Sequence, residues 1–183
     1  MGILKVARMG HPVLRQVAEP VNPEEVSHPD TQRLIRDMVE TMFDYRGAGL
    51  AAPQVHVSRR IVVVSVPEAG KAGDAEAEDG PKKTPEALVL INPEVRPVSE
   101  DLVVDWEGCL SLPDLRGRVP RFEGVRVRAL TPQGTTVSFE ARGFAARAIQ
   151  HEVDHLDGVL YPDRMPDLRS LSFLDEYVRY GSS

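Results

Sequence analysis

One cysteine, Cys109, and one tryptophan, Trp106, stand among the 183 residues of this chain. A lone cysteine closes no internal disulfide, which sets aside the small secreted scaffolds that disulfides staple. It also argues against a structural zinc module, since such sites usually draw on several cysteines. Long hydrophobic runs are missing too, and nothing approaches the roughly 18 apolar residues of a membrane-spanning helix. The first residues, Met1-Gly2-Ile3-Leu4-Lys5-Val6, carry no secretory core and no long Arg- and Ser-rich leader. Val6 stands where a myristoylation motif needs Ser or Thr. Positive charge is in deficit, with 22 Lys and Arg against 28 Asp and Glu and a net charge of −6. Nucleic-acid binding as the main function is disfavoured, because phosphate contacts need clustered cations. The arginines that do cluster, Arg116, Arg118, Arg121, Arg126 and Arg128, read as an exposed strand face. These absences point to the cytoplasm, with no membrane and no specific nucleic acid as partner.

What is present looks globular: 42% hydrophobic and 27% charged residues suit one domain over 1–183. His11 to Val17 suggests a turn or two of helix, broken by Pro20 and Pro23. Pro29 to Arg46 is predicted as a long helix, capped by Asp30 or Thr31, with Leu34, Ile35, Met38, Val39, Met42 and Phe43 at helical spacing. It ends at Gly47-Ala48-Gly49, where glycine permits an irregular backbone. Arg60 to Val66 reads as a buried strand, and further strands are expected at Ala87–Ile91, Leu102–Trp106, Gly124–Leu130 and Thr135–Ala141. The last two are joined by the turn residues Pro132-Gln133-Gly134. Residues 67–85, rich in Gly, Ala and charge, read as a surface loop inserted between strands. Gly143 to Asp157 is the second long helix. The tail from 166 to 183 fits either helix or strand.

Chemistry concentrates in three places. His151-Glu152-Val153-Asp154-His155 puts two imidazoles on one face of a helix, with a carboxylate one step round. That arrangement suits a metal ion flanked by a general base. Ala145, Ile149, Val153 and Leu156 make the same helix apolar, while Arg147, Gln150, Asp154 and Asp157 form a narrow polar stripe. A helix so apolar is largely buried, and buried histidines need partners. Glu107-Gly108-Cys109-Leu110-Ser111 offers the only cysteine, a soft and strong ligand as thiolate. Gly47-Ala48-Gly49-Leu50-Ala51-Ala52-Pro53-Gln54 is a small-residue segment that lets backbone approach a ligand. It ends in an amide able to donate to an oxyanion.

Together GAGLAAPQ (47–54), EGCLS (107–111) and QHEVDHLDG (150–158) resemble the three motifs of the peptide deformylase family, in that family's order. Softer likeness extends through His11-Pro12-Val13-Leu14-Arg15, Ile91-Asn92-Pro93 and Val119-Pro120-Arg121. The resemblance implies an α+β fold of antiparallel β-sheets packed around a central buried HExxH helix. It implies removal of the formyl group from the formyl-methionine of nascent chains, near the ribosomal exit tunnel. It assigns Cys109, His151 and His155 to one divalent ion, iron(II) foremost, with zinc, nickel or cobalt as alternatives. Glu152 becomes the acid/base, with the Gln54 amide and the Leu110 backbone N–H at the oxyanion. Ala48 and Gly108 would contact the peptide backbone, and Gly49, Glu107, Arg116 and His151 would line the methionine pocket. Glu107 and Arg116, paired with each other or each solvated, are expected to shape that pocket, and Asp154 is expected to pair with Arg121. The competing enzyme reading, a zincin-type endopeptidase with a distal Glu or His on zinc, leaves Cys109 without a role.

Overall fold

The computed structural model describes residues 2–65 and 87–181. The expected loop at 67–85 lies outside the described residues. The elements run in the order α1 (Pro29–Asp44), β1 (Gly49–Ala51), β2 (Ile61–Ser65), β3 (Ala87–Pro97), β4 (Leu102–Cys109), β5 (Leu112–Phe122), β6 (Gly124–Leu130), β7 (Thr136–Arg142), α2 (Gly143–Leu156), α3 (Tyr161–Arg164), β8 (Ser172–Phe173) and α4 (Leu174–Tyr180). Short 3-10 turns occupy Pro12–Arg15, Pro23–Glu25 and Ala52–Val55. One sheet has the order β1-β2-β3-β6-β7 and the other β4-β5-β8, with every pairing antiparallel. The architecture is α+β. Among the described residues no helix is long and apolar enough to cross a membrane.

The larger sheet is buried on both faces, which explains the unbroken apolar run Ile61-Val62-Val63-Val64. Successive strand side chains point to opposite faces. Val62 and Val64 join Leu90, Val125 and Val127 against Ile149 and Leu156 of α2. Ile61 and Val63 join Leu50 and Ile91 against Ile35, Met38 and Met42 of α1. A third cluster, including Leu14, Leu112, Val119, Leu160 and Tyr161, fills the space beside the smaller sheet.

Several local expectations change. The cap of α1 is His28, whose ring accepts from Asp30 N; Asp30 and Thr31 lie inside the helix. The helix stops at Asp44, and the left-handed residue beyond it is Arg46 at φ 53°, not a glycine. The early helical turn shrinks to a 3-10 turn. β3 and β4 run further than expected, and β5 takes in most of a segment read only as an arginine cluster. That cluster does not share one face. Arg126 and Arg128 are exposed on β6, but Arg121 alternates in step with Gly117 and Val119 and is buried. The tail resolves into both alternatives, a two-residue strand followed by a helix.

α2 ends on a Schellman arrangement. Gly158 at φ 72° donates to His155 O, and Val159 N donates to Asp154 O at 2.9 Å. A Cβ on Gly158 would stand 2.8 Å from the Arg15 backbone. The N-terminal segment then passes all three motifs in turn. Ala7 N donates to Gln54 O, Met9 N to Ser111 O, and Ala18 N to Leu156 O.

Candidate active site

β4 and β5 form a hairpin whose turn is Leu110-Ser111, with Cys109 paired to Leu112. Glu107 and Cys109, two apart on a strand, face the same way, and both are buried. Opposite them, α2 presents His151 and His155 from one face. Cys109, His151 and His155 thereby bring one ligand atom each within 4.8 Å of one another. Cys109 Sγ lies 3.3 Å from His155 Nε2. Bonds of roughly 2.0–2.3 Å at tetrahedral angles set donor atoms about 3.3–3.7 Å apart, so the cluster fits a shared ion. No other such group of His, Cys, Asp or Glu occurs among the described residues.

Electrostatics shift the protonation of two members of this group. Burial opposes ionisation of Cys109, but the imidazoles of His155 and His151 outweigh it and hold the thiol well below its usual range. Burial likewise disfavours a charge on His151, and Cys109 and Glu107 reverse that, raising its pKa. His151 Nδ1 is 2.8 Å from Glu107 Oε2, which leaves Nε2 as the ring nitrogen available to a ligand. Glu152 is buried, and Oε2 finds no hydrogen-bond partner among the described residues. Burial pushes its carboxyl up to about 7, a range suited to giving and taking a proton near neutrality.

Gly49 is where the glycine-rich segment meets α2. It belongs to strand β1, and a Cβ there would fall 2.6 Å from Glu152 Cγ. Glycine serves here by leaving room, not by bending the chain. Gln54 is buried, and its Oε1 accepts from Ala51 N at 2.8 Å. Its Nε2 donates to Ser111 Oγ at 3.1 Å and approaches Cys109 Sγ at 3.5 Å. Ala48, Gly108 and Leu110 lie with these groups around a cavity of about 600 Å³.

Glu107 and Arg116 do not pair. Glu107 instead takes Arg121, at 2.9 and 3.0 Å, and Arg147 at 2.8 Å. Burial would raise its pKa, yet hydrogen bonds from His151 and Arg121 lower it to about 2. Arg116 folds back to its neighbour's carbonyl, Leu115 O, at 2.7 Å and lies over Gly108, where a Cβ would stand 2.5 Å from the guanidinium carbon. It still lines the cavity. The Arg121–Asp154 pair is present at 2.5 Å, and Arg164 adds a second partner to Asp154 at 2.8 Å. Two of the four residues in the polar stripe of α2, Arg147 and Asp154, therefore belong to an internal ion network, while Asp157 pairs with Arg60 nearer the surface.

Sequence reasoning missed Arg147, Trp106 and Leu174, all on the cavity wall. Arg147 stands one helical turn before His151, a spacing that could have pointed to it. Nothing local marks Leu174.

Comparison with known proteins agrees with this geometry. The polypeptide deformylase family profile matches residues 3–170. Peptide deformylase 1 of Nitrosomonas europaea is 41% identical over 173 residues, covering 94% of this chain and 93% of that protein. Peptide deformylase 1 of Prochlorococcus marinus is 43% identical over 181 residues, covering 99% and 90%. Among solved structures, the Met-Ala-Ser-bound class I type b peptide deformylase of Acinetobacter baumannii superposes with TM-score 0.78 at 39% identity. That match covers 90% of this chain and 99% of the other. The peptide deformylase of Thermotoga maritima gives TM-score 0.75 at 34% identity, covering 91% and 100%. With its cysteine and paired histidines gathered beside an unpartnered glutamate, the chain belongs to the polypeptide deformylase family, enzymes that remove the formyl group from N-terminal methionine.

Proposed function

We propose that Cys109, His151 and His155 hold one divalent metal ion and that Glu152 is the acid/base of formyl-methionine hydrolysis. The observation that carries this reading is the buried Glu152 carboxylate, whose Oε2 has no partner among the described residues, beside three potential ligand atoms within 4.8 Å of one another. When bound, the ion supplies a Lewis acid that polarises the formyl carbonyl and acidifies water. Glu152 takes the proton of the attacking water and returns it to the departing amine nitrogen. A thiolate ligand lowers the net charge at the site relative to a third imidazole, so more of the proton removal falls on Glu152. Ala51 N–H holds the Gln54 amide in place, and Gln54 Nε2 with the Leu110 N–H would donate to the developing oxyanion. Glu107 fixes the His151 tautomer.

The substrate on this reading is an N-formyl-methionyl nascent peptide; the Acinetobacter relative's binding of Met-Ala-Ser supports it. Ala48 and Gly108 would meet the peptide backbone, and Gly49, Glu107, Arg116 and His151 the methionine side chain. Iron(II) is the favoured ion on the family resemblance, and the same thiolate–imidazole set would accept zinc, nickel or cobalt. The reading further places the enzyme in the cytoplasm, acting on chains near the ribosomal exit tunnel. It treats 1–183 as one catalytic domain with α2 at its centre, a placement supported by the burial of α2 among strands of both sheets.

Formate release from a formyl-Met peptide by anaerobically purified protein tests the proposal, with an acetyl-Met peptide as control. Fast release that decays in air establishes the activity and a redox-sensitive site, most simply iron, since iron and Cys109 both oxidise. Release that survives air keeps the activity and assigns nickel or zinc. An ion-loaded protein that releases no formate overturns the reading.

A further inference from the structure

The cavity has one wall that none of the three motifs supplies. Leu174, half-buried at the start of α4, lines it, as do Trp106 and Phe144. Tyr177 lies one helical turn beyond Leu174, and its ring centroid is 4.7 Å from that of Trp106, with planes inclined by 57°. Such aromatic pairs attract beyond their buried area. The segment leading to α4 is fastened to β5, where Leu115 pairs with Phe173 and Arg116 with Ser172. Arg118 N also donates to Ser170 Oγ at 3.1 Å. Fixing β8 beside Arg116 places α4 over the cavity rim. The family match ends at residue 170, so β8 and α4 lie beyond it.

We propose that the segment from Ser172 to Tyr180 is a specificity element, in which Leu174 contacts an apolar side chain of the bound peptide and Tyr177 positions Trp106 against it. The proposal rests on the deformylase activity for its substrate. Tyr177 is a positioning residue, acting through Trp106. Removing an apolar contact from a binding wall weakens recognition by about tenfold, so the effect belongs in KM more than in kcat.

Trp106 is the only tryptophan, so its fluorescence reports peptide binding directly. Leu174→Glu and Tyr177→Ala are expected to raise the Kd for Met-Ala-Ser about tenfold, and to raise KM for formyl-Met-Ala-Ser similarly with a much smaller change in kcat. Tyr177→Ala should also shift Trp106 emission, and Tyr177→Phe should restore both emission and Kd. Glu176→Ala, exposed on α4 and paired with Arg179 at the surface, serves as the control and should leave Kd unchanged. Parallel assays on formyl-Met-Leu-Ser locate the contact. Equal losses on both peptides place Leu174 against the methionine, and a larger loss on the leucine peptide places it against the next residue; either supports the proposal. Unaltered Kd and KM in both Leu174→Glu and Tyr177→Ala overturn it. Should the unaltered protein release no formate, the activity reading falls, while the Met-Ala-Ser titration still decides whether α4 forms a binding wall.

Discussion

Glu107 Oε2 lies 2.8 Å from His151 Nδ1, a buried hydrogen bond that helps tie the β4–β5 hairpin to α2. The same carboxylate is held by Arg121 and Arg147. The contact thus joins the proposed ligand set to the internal ion network, and each end constrains the other.

Glu107→Gln is expected to weaken metal binding by about 10- to 100-fold, the usual cost of losing a group that orients a ligating histidine. Competition with a chelator, read by ion content, measures it. Wild-type affinity in this variant would remove Glu107 from the role given to it.

Arg121→Ala should destabilise the protein by about 3–5 kcal/mol, because it strips a buried cation from two buried carboxylates, Glu107 and Asp154. Denaturant unfolding in the presence of saturating metal checks this. A loss below about 1 kcal/mol, the scale of a surface ion pair, would mean the network relaxes or admits water.

Gly49→Ala should lower kcat/KM by about 100-fold, the scale of an ångström-sized misplacement of a catalytic group. The added methyl has no place to go while Glu152 keeps its position. Ion content should stay near normal, since a Cβ at Gly49 meets Glu152 first and not the proposed ligands. Normal rates would show that Glu152 sits elsewhere during turnover.

Glu152→Gln keeps the side-chain shape and removes the base. Turnover is expected to fall by about 10²–10⁴ while the ion stays bound. Near-normal formate release from this variant would rule out Glu152 as the proton carrier.

How much was legible in advance differed with the range of the interaction. The pairing of His151 with His155 was readable because a helix returns to the same face after four residues. Burial of both faces of β2 was readable in kind from Ile61-Val62-Val63-Val64. The arginine run misled, because five cations close in sequence suggested one exposed face. Two strands separated by Glu123 in fact send Arg121 inward and Arg126 outward. Glu107 was matched with Arg116 for want of any local sign that Arg121 and Arg147 converge on it. Gly47 and Gly49 read in sequence as permitting an irregular backbone and a close approach to a ligand. The left-handed turn belongs to Arg46, and what Gly49 provides is space for a side chain about a hundred residues away in sequence.

By itself the sequence determined the chemical inventory and its local geometry. The thiol, two imidazoles and carboxylate were identifiable because periods of two and 3.6 residues are set by the backbone and repeat wherever strand or helix forms. Tertiary structure alone decided who meets whom. The hairpin tip reaches α2, Arg121 displaces Arg116 as the partner of Glu107, and α4 lies against Trp106, because packing both faces of one sheet and anchoring β8 on β5 leaves the chain those neighbours. Side chains far apart in sequence acquire their partners only when the core closes, and no local spacing encodes that choice.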